Sequence, residues 1–260
     1  MIGFLNHLLR GSAEHAAFQN RARTFLAPRL ARATWDAAKT EEPPAANHRA
    51  GLIRLLGQMD EPSVLAEARR RFETFMANPG TLTGDLRGPV LTLAGQHADA
   101  ATWNGIHDLA KRTTDTEQKD LLYMALASAR DEKLCEQALA IALGDELPAR
   151  QAAGIVRRVA ENGGQTERAW LFAKANLPAL LARVSEFEAN RIVPGIFAEF
   201  TDERRAEELE AFAAANLPAK AGRAVALAAD EIRFKSELRS RALREAATWI
   251  AGTDDAAAGK

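Results

Sequence analysis

Catalysis needs nucleophiles, bases or metal ligands at workable spacing, and this sequence supplies few of them. Its five histidines are His7, His15, His48, His97 and His107, and none lies four residues from another, so no His-Glu-x-x-His helix exists. His97 and His107 stand ten apart across an expected turn at Asp99, out of helical phase for a ligand pair, and read as loop or groove residues. The one cysteine, Cys135, shares a stripe with Leu134, Ala138, Leu139 and Ala142 and reads as a small core residue. Gly-rich phosphate and dinucleotide loops and the GxSxG nucleophile turn are missing, and Gly163-Gly164 after Asn162 reads as a turn. These patterns predict no catalytic residue, no metal ligand and no cofactor in this chain.

Charge is the remaining resource. The runs Arg69-Arg70-Arg71, Arg157-Arg158 and Arg204-Arg205 sit mid-helix among acids, the pattern of a solvated face. Toward the end, Lys220, Arg223, Arg233, Lys235, Arg239, Arg241 and Arg244 outnumber Asp230, Glu231, Glu237 and Glu245, which reads first as a solvated basic helix and, as the alternative, as a holder of an anionic peptide end. Over the whole chain, Lys and Arg at 34 balance Asp and Glu at 35, which gives no general attraction to nucleic acid or anionic membrane. No apolar run reaches the roughly eighteen residues of a membrane span. With a lone cysteine unable to form an internal disulfide, the expected setting is a reducing cytoplasm. The start, "MIGFLNHLLRG", lacks a secretory leader and opens inside an amphipathic stretch, as a cut helix would.

The elements that would position these residues are helical. A hydrophobic content of 47% supports a sizeable core, and the apolar residues recur at three and four. In "EPSVLAEARRRFETFMANPG", Val64, Leu65, Ala68, Phe72, Phe75 and Met76 make one stripe, with Glu67, Arg70, Arg71 and Glu73 largely off it. Short polar residues that can accept bonds from free first-turn amides mark helix starts at Asp60, Asp99, Asp131, Thr166 and Asp202. Earlier helices are expected to end just upstream, at 48–57, 86–96, 116–129, 148–161 and 186–200, with a last pair at 219–234 and 237–250.

The marked starts are 39, 32, 35 and 36 residues apart. A period of this size, built from two antiparallel helices, predicts an all-α, HEAT-like α-solenoid of about six helix pairs, because one pair cannot bury its apolar face alone. The phrase Asn-Leu-Pro, at Asn176 and again forty residues on at Asn216, fits helix ends followed by new starts. The expected core holds Trp103, Leu121, Leu122, Leu139, Val156, Trp170, Ile196 and Phe197. The expected organisation is an N-terminal helical segment at 1–36, a linker at 37–46 where consecutive prolines oppose helix, repeats at 47–251 and a disordered tail at 252–260.

The order of phrases carries a family resemblance. "RLLGQMDEPSVLAEARRRFETFM", "LRGPVLTLAGQHADAATWNGIHDLAKRTTDTEQKDLLYMALASARDEKL", "AWLFAKANLPALLARV" and "IRFKSELRSRALREAATWI", together spanning about 40–250, resemble the C-terminal helical domain of zinc metalloaminopeptidases of the puromycin-sensitive and aminopeptidase N family. The resemblance implies a bowl-shaped solenoid that caps a separate catalytic zinc domain, encloses the peptide cavity and touches the far end of the substrate. It also implies that zinc, its ligands and the amine-recognition motif lie outside this chain, which would enter the fold late. The expected partners are therefore the catalytic zinc domain, fused or separate, and a peptide substrate, with no nucleic acid or membrane. The alternative is a free-standing helical-repeat scaffold that binds proteins.

If the cap meets a peptide's terminal carboxylate, a guanidinium is the suited donor, since it offers two parallel bonds. Arg191, beside the Ile192, Val193, Ile196, Phe197 and Phe200 stripe of a helix expected to border the cavity, is the first candidate, and Arg233 is the second.

Overall fold

The computed structural model describes residues 1–36, 42–82, 84–162 and 164–251, and the side chains of all of these except 149, 150, 162 and 247–251. The expected tail at 252–260, Gly163 and the linker residues 37–41 lie outside the described residues. Among the described residues there are fourteen α-helices, two short 3-10 turns and no strand, so the fold is all-α. Contacts divide the chain into two compact units, Met1–Leu93 with Glu237–Lys260, and Ala94–Ser236.

In the first unit, α1 (Ile2–Leu8), α2 (His15–Ala33), α3 (Pro43–Gln58) and α4 (Pro62–Ala77) pack each on the next, and α5 (Gly84–Gln96) begins there. Phe18, Ala22, Leu26 and Leu30 recur every fourth residue and bury one face of α2, while Val64, Ala68, Phe72 and Phe75 do the same for α4. The N-terminal segment is two helices and not one run, because Gly11 turns the chain with φ of 78°.

Two expectations fail in this unit. The linker does not extend to 46: Pro43 and Pro44 open α3 in the first turn, where amides lack intrahelical partners and a missing N–H costs nothing. Asp60 is not the cap of α4 either. It adopts φ of 56° in the turn, Glu61 precedes the helix, and the Asp60 carbonyl accepts a bond from Arg23 at 3.0 Å.

The second unit runs through α6 (Ala100–Arg112), α7 (Thr116–Leu126), α8 (Glu132–Ile141), α9 (Ala149–Asn162), α10 (Thr166–Ala175), α11 (Leu177–Arg183), α12 (Glu186–Phe197) and α13 (Arg204–Asn216) into α14 (Gly222–Ala251). α9 is its centre and packs on α7, α8, α10, α11 and α12 through Ala152, Ile155, Val156, Val159 and Ala160. Trp103, Leu122, Leu139, Val156, Trp170, Ile196 and Phe197 are buried as the stripes require, whereas Leu121 is half-buried at the stripe's edge. Burying each large side chain stabilises by about 1.5–3 kcal/mol. Trp170 adds edge-on contacts to Phe197 and Phe212 at ring separations of 4.6 and 4.7 Å.

Caps explain where several helices start. Asp99 accepts from the Thr102 amide and Asp131 from those of Lys133 and Leu134. Asp202 accepts from the Arg204 amide, with Glu203 at the junction. Thr166 is already the first helical residue, and its hydroxyl donates to the Ala160 carbonyl instead of capping. Two caps escaped the sequence reading: Asp115 before α7, and the reciprocal Ser185–Glu188 box before α12. The expected pair at 219–234 and 237–250 is a single 30-residue helix, α14, preceded by a 3-10 turn at Ala219–Ala221. No Gly or Pro between Asp230 and Ser240 interrupts its hydrogen bonds.

Polar contacts repeat with the period of the helices. Arg158 to Ser128, Gln165 to the Arg130 carbonyl, Trp170 to Glu208, Lys235 to the Ala198 carbonyl and His107 to Glu146 link residues 30 to 39 apart. In the first unit Arg23 to Asp60 and Arg49 to Asp85 are 37 and 36 apart. Each side chain therefore reaches about one helix pair along, the contact pattern of a solenoid-like stack.

The repeated Asn-Leu-Pro shares one local chemistry. The Asn176 amide donates to the Phe172 carbonyl and Asn216 to that of Phe212, both at 2.9 Å, each satisfying a last-turn acceptor of its own helix. Their continuations differ: Pro178 lies in the first turn of α11, while Pro218 precedes the 3-10 turn.

Close approach of a neighbouring backbone makes Gly95 hard to replace. A Cβ on Gly95 would stand 2.0 Å from the Ala125 carbonyl oxygen, whereas one on Gly51 meets nothing within 4 Å. Gly95→Ala should therefore destabilise by about 3 kcal/mol, and Gly51→Ala should be neutral or stabilise by up to about 1 kcal/mol. Urea unfolding of the two variants checks this, and equal effects would contradict the α5–α7 contact.

Candidate functional site

Arg191 sits in the second turn of α12, held in place by the Ser185–Glu188 box at its start. Its side chain is exposed, and its guanidinium lies 5.0 Å from the centroid of the Phe187 ring one turn earlier. The neighbouring acids are engaged elsewhere: Glu186 binds Lys220 at 2.8 Å and Glu188 accepts from Ser185. Among the described residues, Arg191 has no carboxylate partner.

Arg233 is in a different state. Its Nη2 donates to both oxygens of Glu210 at 2.9 Å, and Asp230 lies 3.7 Å away. To receive a substrate carboxylate it must exchange one anion for another. Arg191 and Arg233 share no partner among the described residues. Two more of these cations are engaged: Lys235 is buried and binds Glu231 and the Ala198 carbonyl, and exposed Arg241 binds Glu245. The internal arginine runs are only partly solvated faces: Arg69, Arg70, Arg157 and Arg204 are exposed, whereas Arg71, Arg158 and Arg205 are half-buried and bind Glu67, Ser128 and Glu208. Arg70 and Arg71 both bind Glu67, and those hydrogen bonds, Arg70 first, hold its carboxyl down to about 2 despite partial burial.

The structure also assembles a cluster that no motif announces. Glu146, in the loop between α8 and α9, accepts from the Tyr123 hydroxyl and pairs with His107 Nε2, both at 2.5 Å and both through Oε1. Trp103 flanks the imidazole at 5.0 Å. The only trace in sequence is that Trp103 and His107 are four apart on one helix face; Tyr123 and Glu146 lie 23 residues apart. Burial raises the Glu146 carboxyl, but the bonds from Tyr123 and His107 outweigh it and leave it below the ordinary 4.5. Burial, then the bond to Glu146, pushes the Tyr123 hydroxyl well above its ordinary value.

Through Glu146 Oε1 the cluster ties the loop to α6 and α7, and so clamps it in place. Arg183 grips the same loop from α11 through the Leu143 and Gly144 carbonyls.

Other reactive groups are quiet. Cys135 is buried and burial pushes its thiol up to about 11, which keeps it protonated and unreactive. His15 bonds Asn6 at 2.9 Å, and burial, then Arg10, lowers its pKa. His48 and His97 are exposed, as loop or surface residues are. Among the described residues, no group of three or more His, Cys, Asp or Glu could hold a metal ion, so they do not fit a catalytic zinc. Nor is any helix among them long and apolar enough to cross a membrane.

Comparison with known proteins places this geometry. The profile of the ERAP1-like C-terminal domain matches residues 1–234. Aminopeptidase M1 of Arabidopsis thaliana is 26% identical over 183 residues, which make up 68% of this chain and 21% of that protein. The chain thus spans about a fifth of the length of that relative.

The clamp has a defined pH signature. Because the folded Glu146 pKa lies below its unfolded value, its contribution is full above the unfolded value and is lost as pH falls through the folded one. Glu146→Gln should cost about 1 kcal/mol at neutral pH, a deficit that shrinks in acid. Urea titrations of both proteins at descending pH test this; a deficit that is constant or grows in acid would contradict it.

Proposed function

Because the chain belongs to the family of ERAP1-like C-terminal domains, we propose that it is the non-catalytic cap of a zinc aminopeptidase, closing the peptide cavity of a catalytic domain carried elsewhere. The observation that carries this reading is the family match, which covers nearly the whole chain. The similarity to Aminopeptidase M1 supports it. Metal chemistry belongs to the partner domain in this reading, since the described residues offer no place for it. A single buried thiol suits a cytoplasmic enzyme.

The cap's work is recognition by its own residues, on HEAT-like repeats. Arg191 receives the terminal carboxylate of a bound peptide: its guanidinium is exposed, unspent on any described carboxylate, and lies over the Phe187 ring. Arg233 is the second donor, after exchange from Glu210. Binding energy gained at this remote end is available to the transition state at the amino end.

In the enzyme reconstituted from this chain and its catalytic domain, Arg191→Ala should lower kcat/KM about tenfold for peptides with a free C-terminus and much less for their amides. Arg233→Ala should show the same preference more weakly. Equal losses on acid and amide would remove the carboxylate role. The chain alone should bind no stoichiometric zinc by metal analysis and release no amino acid from aminoacyl substrates; one tightly held zinc with turnover would overturn the cap reading.

A further inference from the structure

Anchoring is uneven along the second unit. α11 has seven residues, and its buried side chains, Leu177 and Leu180, both lie in its first half. α12 buries Ile192, Val193, Pro194, Ile196 and Phe197, all of them after Arg191. Between these anchors every residue of 181–191 is exposed or half-buried, so the end of α11 and the start of α12 depend on polar bonds more than on burial.

Those bonds are few among the described residues. The Ser185–Glu188 box closes α12 on itself and fixes nothing outside it. Glu186 binds Lys220 at 2.8 Å, but both side chains are largely exposed, and such pairs contribute little. Arg183 makes the firmer tie: Nη1 donates to the Leu143 carbonyl at 3.3 Å and Nη2 to the Gly144 carbonyl at 2.5 Å. Both acceptors lie just past the end of α8, where the helix dipole favours a cation, and the planar guanidinium fork spans the two.

We infer that Arg183 is a positioning residue, which ties the start of α12, and with it Arg191, to the clamped α8–α9 loop. The loop is fixed on its other side, because Glu146 bonds Tyr123 and His107 through Oε1 and Leu147 is buried. The path runs from α6 and α7 through Glu146 to the Leu143 and Gly144 carbonyls and across to Arg183. A single extended residue, Val184, then separates Arg183 from Ser185, the cap of α12. Every link lies within the second unit. The tie belongs to this chain alone; only its consequence for a peptide carboxylate at Arg191 rests on the cap reading.

Amide hydrogen exchange of the 260-residue chain, read by NMR, tests the tie with no peptide or catalytic domain present. The reporters are Glu188 and Ala189, whose amides bond the Ser185 hydroxyl and carbonyl, and Leu143 and Gly144, whose amides bond the Ala140 and Ile141 carbonyls. Arg183→Gln should speed exchange at all four about fivefold, and Arg183→Lys, which keeps the charge without the fork, should do so less. Tyr123→Phe removes one hydroxyl from the far side of the clamp and should speed both pairs about twofold. Val156 and Val159 in α9 report general loss of stability and should hold their rates. Unmoved Glu188 and Ala189 amides in Arg183→Gln, a response to Tyr123→Phe confined to the loop, or an equal rise at Val156 and Val159 would each overturn the inference. Coupled exchange in this chain, together with an Arg191→Ala enzyme that treats free-acid peptides normally, would uphold the tie and remove only the carboxylate role.

Discussion

A helix with one apolar face has no stable place in water until another face covers it, and nearly every helix here is of that kind. Much of the chain solves this locally, helices such as α7, α9, α10 and α12 being covered by sequence neighbours and by helices two or three further on. α9 shows the result most fully: Ile155, Val156 and Val159 are buried among five neighbouring helices. The polar groups follow the same geometry. Arg158, Gln165, Trp170, Arg183 and Lys235 each spend hydrogen bonds about one helix pair away, on a hydroxyl, a carboxylate or a carbonyl.

That use of polar groups bears on function. Glu146, His107 and Tyr123 have the residue types of an acid–base site, yet the bonds from Tyr123 and His107 lower the carboxyl, burial and then the bond to Glu146 raise the phenol, and the trio secures a loop. Cys135 is shut inside the core with its thiol protonated. Among the exposed cations, Arg191, stacked on Phe187, and Lys174, beside Trp170, have no described carboxylate to neutralise them. In the proposed function, Arg191 is the group that receives a peptide carboxylate.

Much of the fold could be read from the sequence because its signals are local. Asp99 and Asp131 cap the helices they precede, and the apolar stripes through Trp103, Leu139, Val156 and Phe197 point to the core. Failures came where a neighbouring backbone conformation decides. Asp60 has the right side chain for a cap but lies in a left-handed turn one residue early, and Pro43 and Pro44 start a helix that they would break if placed further in. The candidate site was legible only by residue type. Arg191 and Arg233 look alike in sequence; only the approach of α13 commits Arg233 to Glu210, 23 residues away. The clamp joins residues 39 apart with no shared motif, so nothing short of the fold could assemble it.

If this solenoid-like domain closes a peptide cavity, its presence must change which peptides are cleaved and not merely how fast. The direct measurement is kcat/KM for a series of peptides of increasing length, differing only by internal alanines, with the catalytic domain alone and with this chain reunited to it. The cap account predicts a preference for certain lengths that exists only with the chain present and that weakens when the peptide C-terminus is amidated. A length profile identical with and without the chain would contradict it.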